Sequence, residues 1–134
     1  MSDRWITQDR FHDPATGARG NCQQAVVASM LGLPLADVPN FIEETHGRGA
    51  GAFWRMIAEF FEARGFLLWE MSGDRTPDCL YMASGPSPRG VSHAVIMKAG
   101  RLIHDPHPSR AGIINVACIH VPVPCDPATL RLTP

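Results

Sequence analysis

The chain of 134 residues is 45 % hydrophobic and 19 % charged, and its formal net charge at pH 7 is −1. This length and balance are typical of one globular domain, spanning residues 1–134, and they argue against the basic surface of a protein that binds nucleic acids or anionic membranes. The first residues lack the apolar core of a secretory signal, and no apolar run approaches the roughly 20 residues of a membrane span, so we expect a cytoplasmic protein with no membrane or nucleic-acid partner.

Helices are predicted in the first half of the chain, after an irregular polar arm. Asn21 is a favourable N-cap residue, and apolar residues at helical spacing predict a helix from there to about Leu31. Gly32 is a typical residue for its C-terminal end. A short second helix is predicted over residues 35–44, and Pro39 should interrupt it.

A glycine-rich loop is predicted over residues 46–51. The next helix, over residues 52–64, has the clearest amphipathic pattern, and Gly65 supplies its C-terminal stop. Its apolar side chains, which should face the core, are Phe53, Ile57, Phe60 and Phe61.

The second half of the chain contains five short apolar runs that predict strands. They cover residues 66–71, 79–83, 94–98, 102–104 and 118–123. A tight turn over residues 98–101 should make the third and fourth strands antiparallel neighbours. Helices followed by a sheet indicate an α+β domain, in which N-terminal helices pack on a C-terminal antiparallel sheet.

Three residues occur in an order that suits cysteine-based catalysis. Cys22 begins an apolar helix, where the helix dipole and free amide groups favour a thiolate. His93 opens the third strand and Asp105 closes the fourth, so the hairpin register brings the two residues to within one step of each other. The carboxylate can then orient the imidazole, and the imidazole can activate the thiol.

Each of these residues also has a simpler structural interpretation. A cysteine on an apolar helix is usually a small buried hydrophobic residue. A histidine that opens a strand is more often structural than catalytic, and Asp105 followed by proline is a common start of a turn. The order of the three residues and the predicted hairpin favour a catalytic Cys22–His93 pair over these separate interpretations.

The motifs Gly20-Asn21-Cys22, Ser92-His93-Ala94-Val95 and His104-Asp105-Pro106 resemble those of the papain-like cysteine peptidase superfamily. The likeness is greatest to small peptidase C39-like proteins, some of them from bacteriophages. It spans most of the chain, although only these three motifs are specific. The resemblance implies a papain-like fold, with a helix that carries the nucleophile packed on an antiparallel sheet that carries the base and its acid.

The resemblance also implies a glutamine whose side-chain amide joins the Cys22 backbone amide in an oxyanion hole. Thr16, not a glutamine, stands six residues before Cys22. Gln8 is therefore assigned this role, with the intervening loop folded outward. Gln23 and Gln24 are the alternatives, but side chains just inside a helix usually point away from its N-terminal end.

Arg89 and Asn21 are the candidate substrate-binding residues. Residues 84–90 lead into the strand of His93 and form either a connector or a rim, on which Arg89 could bind a carboxylate or a phosphate. Asn21 precedes the nucleophile directly. Among the tryptophans, Trp54 is expected in the core, whereas Trp5 and Trp69 could pack in the core or line a groove.

Metal binding is not expected. The cysteines form no CxxC pair, so the chain lacks a structural zinc motif of the usual spacing. His104 and His107 could join His93 as ligands, but His104 should face away from Asp105 on its strand, and His107 is expected in an exposed turn. The thiols of Cys79, Cys118 and Cys125 are expected to be reduced and inert.

The sequence thus predicts a hydrolase that uses Cys22 to cleave an amide, peptide or isopeptide bond of a peptide or protein, without a cofactor. Side-chain deamidation and acyl transfer would use the same residues. The alternative from another class is a catalytically silent papain-like module that docks a protein partner. A reactive thiol favours the enzyme, and an inert thiol or a large exposed apolar patch over the site favours the binding module.

Overall fold

The structure is a computed structural model that describes residues 4–125. Its helices are α1 (Cys22–Leu31), a 3₁₀-helix (Leu35–Asp37), α2 (Phe41–Glu44) and α3 (Ala50–Glu62). Its strands are β1 (Phe66–Ser72), β2 (Leu80–Pro86), β3 (Ser92–Lys98), β4 (Arg101–His104) and β5 (Cys118–Pro124). The helices precede the strands, which confirms the predicted α+β class.

The five strands form one antiparallel sheet in the order β1-β5-β2-β3-β4. The last strand, β5, lies between the first two and pairs with β1 along its whole length. Helix α1 packs on β3, and α3 packs on β1. The helices therefore cover one face of the sheet.

An apolar core lies on each face of the sheet, because successive side chains of a strand point to opposite faces. On the helical face, Val26 of α1 and Ile57 of α3 belong to one buried cluster with Met82 and Ile96 of the sheet. The smaller cluster on the other face consists of Tyr81, Ala83, Val95, Ile119 and Val121. The central strands β2 and β3 are thus held from both sides.

Residues 35–44 form two short helical segments separated at Pro39, where the sequence predicts an interruption. The 3₁₀-helix ends before Val38, whose backbone is extended with φ −119° and ψ 134°. Pro39 explains this break, because a residue that precedes proline is disfavoured in the helical conformation. Helix α2 then starts afresh after Asn40, whose side chain accepts a hydrogen bond from the Glu43 N–H.

Helix α3 is present as predicted, but both of its ends lie two residues earlier in the chain, and some of its apolar side chains are less deeply buried than expected. It begins at Ala50 and ends at Glu62. Ile57 and Phe61 are fully buried, whereas Phe53 and Phe60 are only partly buried against the core. The exposed edge of this helix is one wall of the cleft described below.

No single helix within residues 4–125 is long and apolar enough to cross a membrane. Only the bent pair of Cys22–Leu31 and Leu35–Glu44 passes such a test, and it does so by length and composition alone. Val26 and Phe41, one from each segment, are both buried in the core of the domain.

Candidate active site

The hairpin of β3 and β4 brings His93 and Asp105 together. A bulge after Ile96 places that residue opposite His104, the last residue of β4. Asp105 follows directly, and its Oδ1 lies 2.6 Å from His93 Nε2. The contact that the sequence predicts between these two residues is present in the structure, while their catalytic roles stay predictions.

The Asp105 carboxylate is buried and fully hydrogen-bonded. Besides His93, its oxygens accept the backbone N–H of His107 at 2.9 Å and that of Gly112 at 2.7 Å. Burial raises the pKa of Asp105, but the hydrogen bonds from His93, His107 and Gly112 outweigh burial and lower the pKa to about 2. Asp105 is therefore ionised at neutral pH and fixed in orientation.

The His93 imidazole lies between two acidic groups. Burial lowers the pKa of His93, but the hydrogen bonds and negative charges of Asp105 and Cys22 outweigh burial and raise the pKa to about 9. Because Asp105 engages Nε2, Nδ1 is the nitrogen that remains for the thiol. A pKa of about 9 makes His93 an imidazolium at neutral pH.

Cys22 is the first residue of α1, and α1 packs directly on β3, in which His93 is the second residue. The first-turn N–H groups of a helix have no intrahelical acceptor, so this end of α1 favours negative charge on the sulfur. The same groups are potential donors to an oxyanion. Cys22 is 8 % exposed, and the part that reagents can reach faces a cleft.

Cys22 lines an open cleft with a volume of about 900 Å³. This volume is close to the upper end of those typical of ligand sites. The N-terminal arm, the starts of α1 and α3 and the β2–β3 connection all contribute to its walls. The lining residues that bear on function are Gln8, Cys22, Trp54, Arg89, His93 and His107. The cleft therefore joins the predicted nucleophile, base and oxyanion donor.

Gln8 reaches the cleft because the N-terminal arm runs along the loop that holds Asp105. The Gln8 N–H donates to the Pro106 carbonyl at 2.9 Å. Its side-chain Nε2 donates one N–H to the Arg10 carbonyl at 2.8 Å. A primary amide carries two N–H groups, so the second remains available to a substrate oxygen beside Cys22.

The two alternative glutamines differ in position, since Gln23 lines the cleft and Gln24 does not. The Gln24 amide donates to the Leu35 and Val38 carbonyls at 3.0 and 2.8 Å, so it fastens α1 to the 3₁₀-helix. Gln23 lines the cleft, but its amide donates to the sulfur of Met82 in the core. Gln8 and Gln23 both line the cleft and each donates one amide N–H to the protein, so the assignment of the oxyanion donor to Gln8 stays a prediction.

Asn21 does not line the cleft, and the structure gives it another task than substrate binding. It is 1 % exposed, and its Oδ1 accepts the Arg10 N–H at 2.9 Å. Its Nδ2 donates to Asp9 at 2.8 Å and to Gln24 at 3.1 Å. Although Asn21 occupies the N-cap position, its side chain makes no capping hydrogen bond. Asn21 instead fastens the arm to the start of α1.

Arg89 lies exposed on the rim of the cleft, as the functional interpretation of residues 84–90 requires. Its Nη1 donates to Ser109 Oγ at 3.2 Å. Strand β2 continues to Pro86, so the connection to β3 is shorter than predicted. The N–H of Ser87 donates to the Val91 carbonyl at 2.9 Å and closes this turn.

The turn predicted at His107-Pro108 is present, and Pro108 is exposed, but His107 is not. His107 is half-buried and lines the cleft, and its ring centroid lies 6.1 Å from that of His93 in an edge-to-face arrangement. The cause is local, because the His107 N–H donates to Asp105 Oδ1 and folds the chain back. An aspartate that bonds to the backbone two residues on is a recognised turn pattern, so the sequence did contain this signal.

The tryptophans separate into one cleft residue and two outside it. Trp54, expected in the core, packs partly against the core and also lines the cleft, stacked on His120 with centroids 3.6 Å apart. Trp5, in the N-terminal arm, stacks on His104. Trp69 is 55 % exposed on β1 and lies outside the cleft.

The remaining histidine and cysteine candidates are arranged as follows. His104 donates from Nε2 to the Ile6 carbonyl at 2.7 Å, so it faces the arm. Cys118 lines the cleft, where burial and the Glu70 charge raise its pKa, and Cys79 and Cys125 are exposed free thiols. Within residues 4–125, no three His, Cys, Asp or Glu side chains lie close enough together to hold a metal ion.

Comparison with known proteins gives no match, since no family model, no curated protein and no solved structure matches this chain. The likeness of its three short motifs to papain-like peptidases stays a prediction. The functional interpretation rests on the geometry around Cys22, His93 and Asp105.

Proposed function

We propose that this chain is a cysteine hydrolase that cleaves an amide, peptide or isopeptide bond of a peptide or protein. The observation that carries this proposal is the 2.6 Å hydrogen bond between His93 Nε2 and the buried Asp105 Oδ1, in a cleft that also contains Cys22 and Gln8. A thiol beside a base, with the base oriented by a third group, is what nucleophilic catalysis requires.

In the first half of the reaction, the Cys22 thiolate attacks the carbonyl carbon of the scissile bond. A carbon–sulfur bond forms, and the π electrons of the C=O bond move to the oxygen. This oxyanion accepts hydrogen bonds from the backbone N–H of Cys22 and the side-chain N–H of Gln8. When the carbon–nitrogen bond breaks, the His93 imidazolium gives its proton to the leaving amine. The products of this half are a free amine and an acyl thioester on Cys22.

In the second half, neutral His93 takes a proton from water while the water oxygen attacks the thioester carbon. The carbon–sulfur bond breaks, the carboxylic acid leaves, and the Cys22 thiolate and His93 imidazolium are restored. Asp105 keeps the imidazole oriented and stabilises its charged form throughout. The same thioester would serve acyl transfer if an amine replaced water, or deamidation if the amide came from a glutamine side chain.

We further propose that the domain is papain-like in detail and works in the cytoplasm. The first point is supported by a helix that begins with the nucleophile and packs on the strand of the base. The second is supported by the four cysteines, Cys22, Cys79, Cys118 and Cys125, which are all free thiols, as a reducing compartment would keep them.

The experiment that tests the proposed hydrolase is alkylation of Cys22 by iodoacetamide between about pH 4 and pH 10, with the adduct located by mass spectrometry. We expect Cys22 to react at neutral pH much faster than the exposed thiols of Cys79 and Cys125, which serve as internal references. His93→Gln should slow this reaction about tenfold at pH 7, because an unassisted thiol is only a few per cent thiolate at that pH. The effect is not larger because a stabilised thiolate is a somewhat weaker nucleophile.

The matched control is His46→Gln, which changes an exposed histidine outside the cleft and should leave the alkylation rate unchanged. If Cys22 reacts no faster than Cys79 and is indifferent to His93→Gln, the proposed hydrolase is wrong. A module that docks a protein partner would then be the better interpretation.

A further inference from the structure

The cleft carries positive charge without a carboxylate from the described residues. Its walls contain Arg89 and the imidazoles of His12, His93 and His107, whereas none of the lining residues is an aspartate or a glutamate. The whole chain has 13 acidic and 12 Lys or Arg residues, so composition does not explain this segregation. Asp105 is buried behind His93 and does not line the cleft.

Arg89 and His107 form one cluster through Ser109. The Ser109 hydroxyl accepts a hydrogen bond from Arg89 Nη1 at 3.2 Å and lies 2.8 Å from His107 Nδ1. The Ser109 N–H also donates to His107 Nδ1 at 3.0 Å. Because Nδ1 accepts, the proton of the neutral ring is on Nε2, which is a donor. The cluster thus has free hydrogen-bond donors for a ligand, namely the remaining N–H groups of the Arg89 guanidinium and the Nε2–H of His107.

Within residues 4–125, no carboxylate forms an ion pair with Arg89 or with the His107 ring. Asp105 pairs instead with His93, and from His107 it accepts only the backbone N–H. Burial lowers the pKa of His107, and the positive charges of Arg89 and His93 lower it further, against the opposing negative charge of Asp105. Such crowding of donors and positive charge at an accessible surface is what an anionic ligand would relieve.

The position of the cluster relative to His93 indicates which side of the scissile bond the cluster would contact. The His107 ring meets the His93 ring in an edge-to-face arrangement, and Phe11 also packs edge-to-face with His107, with centroids 5.4 Å apart. In the proposed reaction His93 gives its proton to the leaving amine, so that amine must lie against His93. Groups attached to the amine then extend toward His107 and Arg89.

We infer that the cluster of Arg89, Ser109 and His107 binds a carboxylate on the leaving-group side of the scissile bond. This inference rests on the proposed function, because the role of His93 defines the leaving-group side. A guanidinium matches a carboxylate with two parallel hydrogen bonds, and the imidazole N–H adds a third donor. The carboxylate is either the α-carboxylate of a C-terminal residue or the side chain of an aspartate or glutamate.

The test compares alkylation of Cys22 by iodoacetate and by iodoacetamide, which have nearly the same size but differ by one negative charge. The measured quantity is the ratio of the two rates at pH 7 and low salt. Arg89→Gln should lower this ratio about threefold, the effect of one charge at about 7 Å in a water-like medium. Arg89→Lys keeps the charge and should restore most of the ratio.

The matched control is Arg101→Gln, which removes an exposed arginine from β4, at the far end of the hairpin from His93, and should leave the ratio unchanged. A ratio that is the same in Arg89→Gln and in the parent protein overturns the carboxylate site. Failure of the proposed function looks different, because Cys22 would then react no faster than Cys79 with either reagent.

Short peptides identify the source of the carboxylate. Glycylglycine, glycylglycinamide and the C-terminal amide of glycylaspartate serve as competitors that slow iodoacetamide alkylation of Cys22. Protection by glycylglycine alone assigns the α-carboxylate, and protection by both carboxylate-bearing peptides assigns any carboxylate at this distance. Equal protection by glycylglycinamide overturns the inference, since that peptide carries no carboxylate.

Discussion

His93 Nε2 lies 2.6 Å from Asp105 Oδ1, and the two side chains are 3 % and 0 % exposed. Water therefore does not compete for this contact, and the electrostatic attraction is stronger than in an exposed ion pair. The other hydrogen bonds of the Asp105 carboxylate come from the backbone of its own loop. The pair should thus contribute to the stability of the loop as well as to the chemistry of Cys22.

The first prediction is that the free energy of unfolding falls as the pH rises from about 6.5 toward 9. The pKa of His93 rises from 6.5 to about 9 on folding, so between these values the folded state holds a proton that the unfolded state has released. The stabilisation is complete below the unfolded pKa and is lost through the folded one. Urea unfolding at a series of pH values measures it.

His93→Gln should remove this decline. The other groups that face the imidazole, namely Cys22, Asp105 and His107, are unchanged in this variant, so the loss of the decline is assigned to His93. Asp105 acts at the other end of the pH range. Its pKa is lowered from 3.8 to about 2, so its contribution is present above pH 3.8 and is lost as the pH falls toward 2. An identical slope between pH 6.5 and 9 in the parent protein and in His93→Gln would contradict the ion pair.

A second prediction separates the oxyanion role of Gln8 from its structural role. Acylation of Cys22 by p-nitrophenyl acetate passes through an oxyanion, whereas alkylation by iodoacetamide does not. Gln8→Ala should slow acylation by about 100-fold, corresponding to the loss of one oxyanion donor. It should slow alkylation much less, and stopped-flow absorbance with mass spectrometry measures both rates. Equal losses in the two reactions would show that Gln8 only supports the fold.

A third prediction concerns Asn21 as a structural fastener. Asn21→Ala removes three part-buried hydrogen bonds, which join its side chain to Arg10, Asp9 and Gln24. We expect the free energy of unfolding to fall by about 2 kcal/mol. Asn115→Ala, at an exposed position, is the control and should change it by less than about 0.5 kcal/mol. Equal stabilities of the two variants, measured by urea unfolding, would argue against the fastener.

A fourth prediction compares two glycines. A Cβ at Gly85, on the cleft side of β2, would lie 2.0 Å from the Asn115 carbonyl oxygen, so the two backbone segments would have to separate. Gly85→Ala should cost about 2–3 kcal/mol of unfolding free energy. At Gly51, in α3, a Cβ meets nothing within 4 Å, and the positive φ that favours glycine is absent. Gly51→Ala should therefore stabilise the protein by up to about 1 kcal/mol, and thermal unfolding of both variants gives the comparison.

The sequence was sufficient to predict the helices, the strands and the pairing of His93 with Asp105. These features depend on residues that are close along the chain, such as the periodicity of α3 and the tight turn between β3 and β4. A two-strand hairpin allows few registers. His93, near the start of the first strand, and Asp105, just after the second strand, both lie at the open end of the hairpin, so their proximity follows from local information. The break at Pro39 was predicted for the same reason.

The position of β5 between β1 and β2, the entry of Gln8 into the cleft and the use of Asn21 as a fastener were decided only by the tertiary structure. Each depends on a contact between segments distant in sequence, such as the hydrogen bond from the Gln8 N–H to the Pro106 carbonyl. Closing such a large loop costs entropy that only the packing of the whole domain offsets, and no local pattern reports which distant segments will meet. The sequence by itself determined the chemical groups and the α+β class, and the tertiary structure decided which of those groups share one cleft.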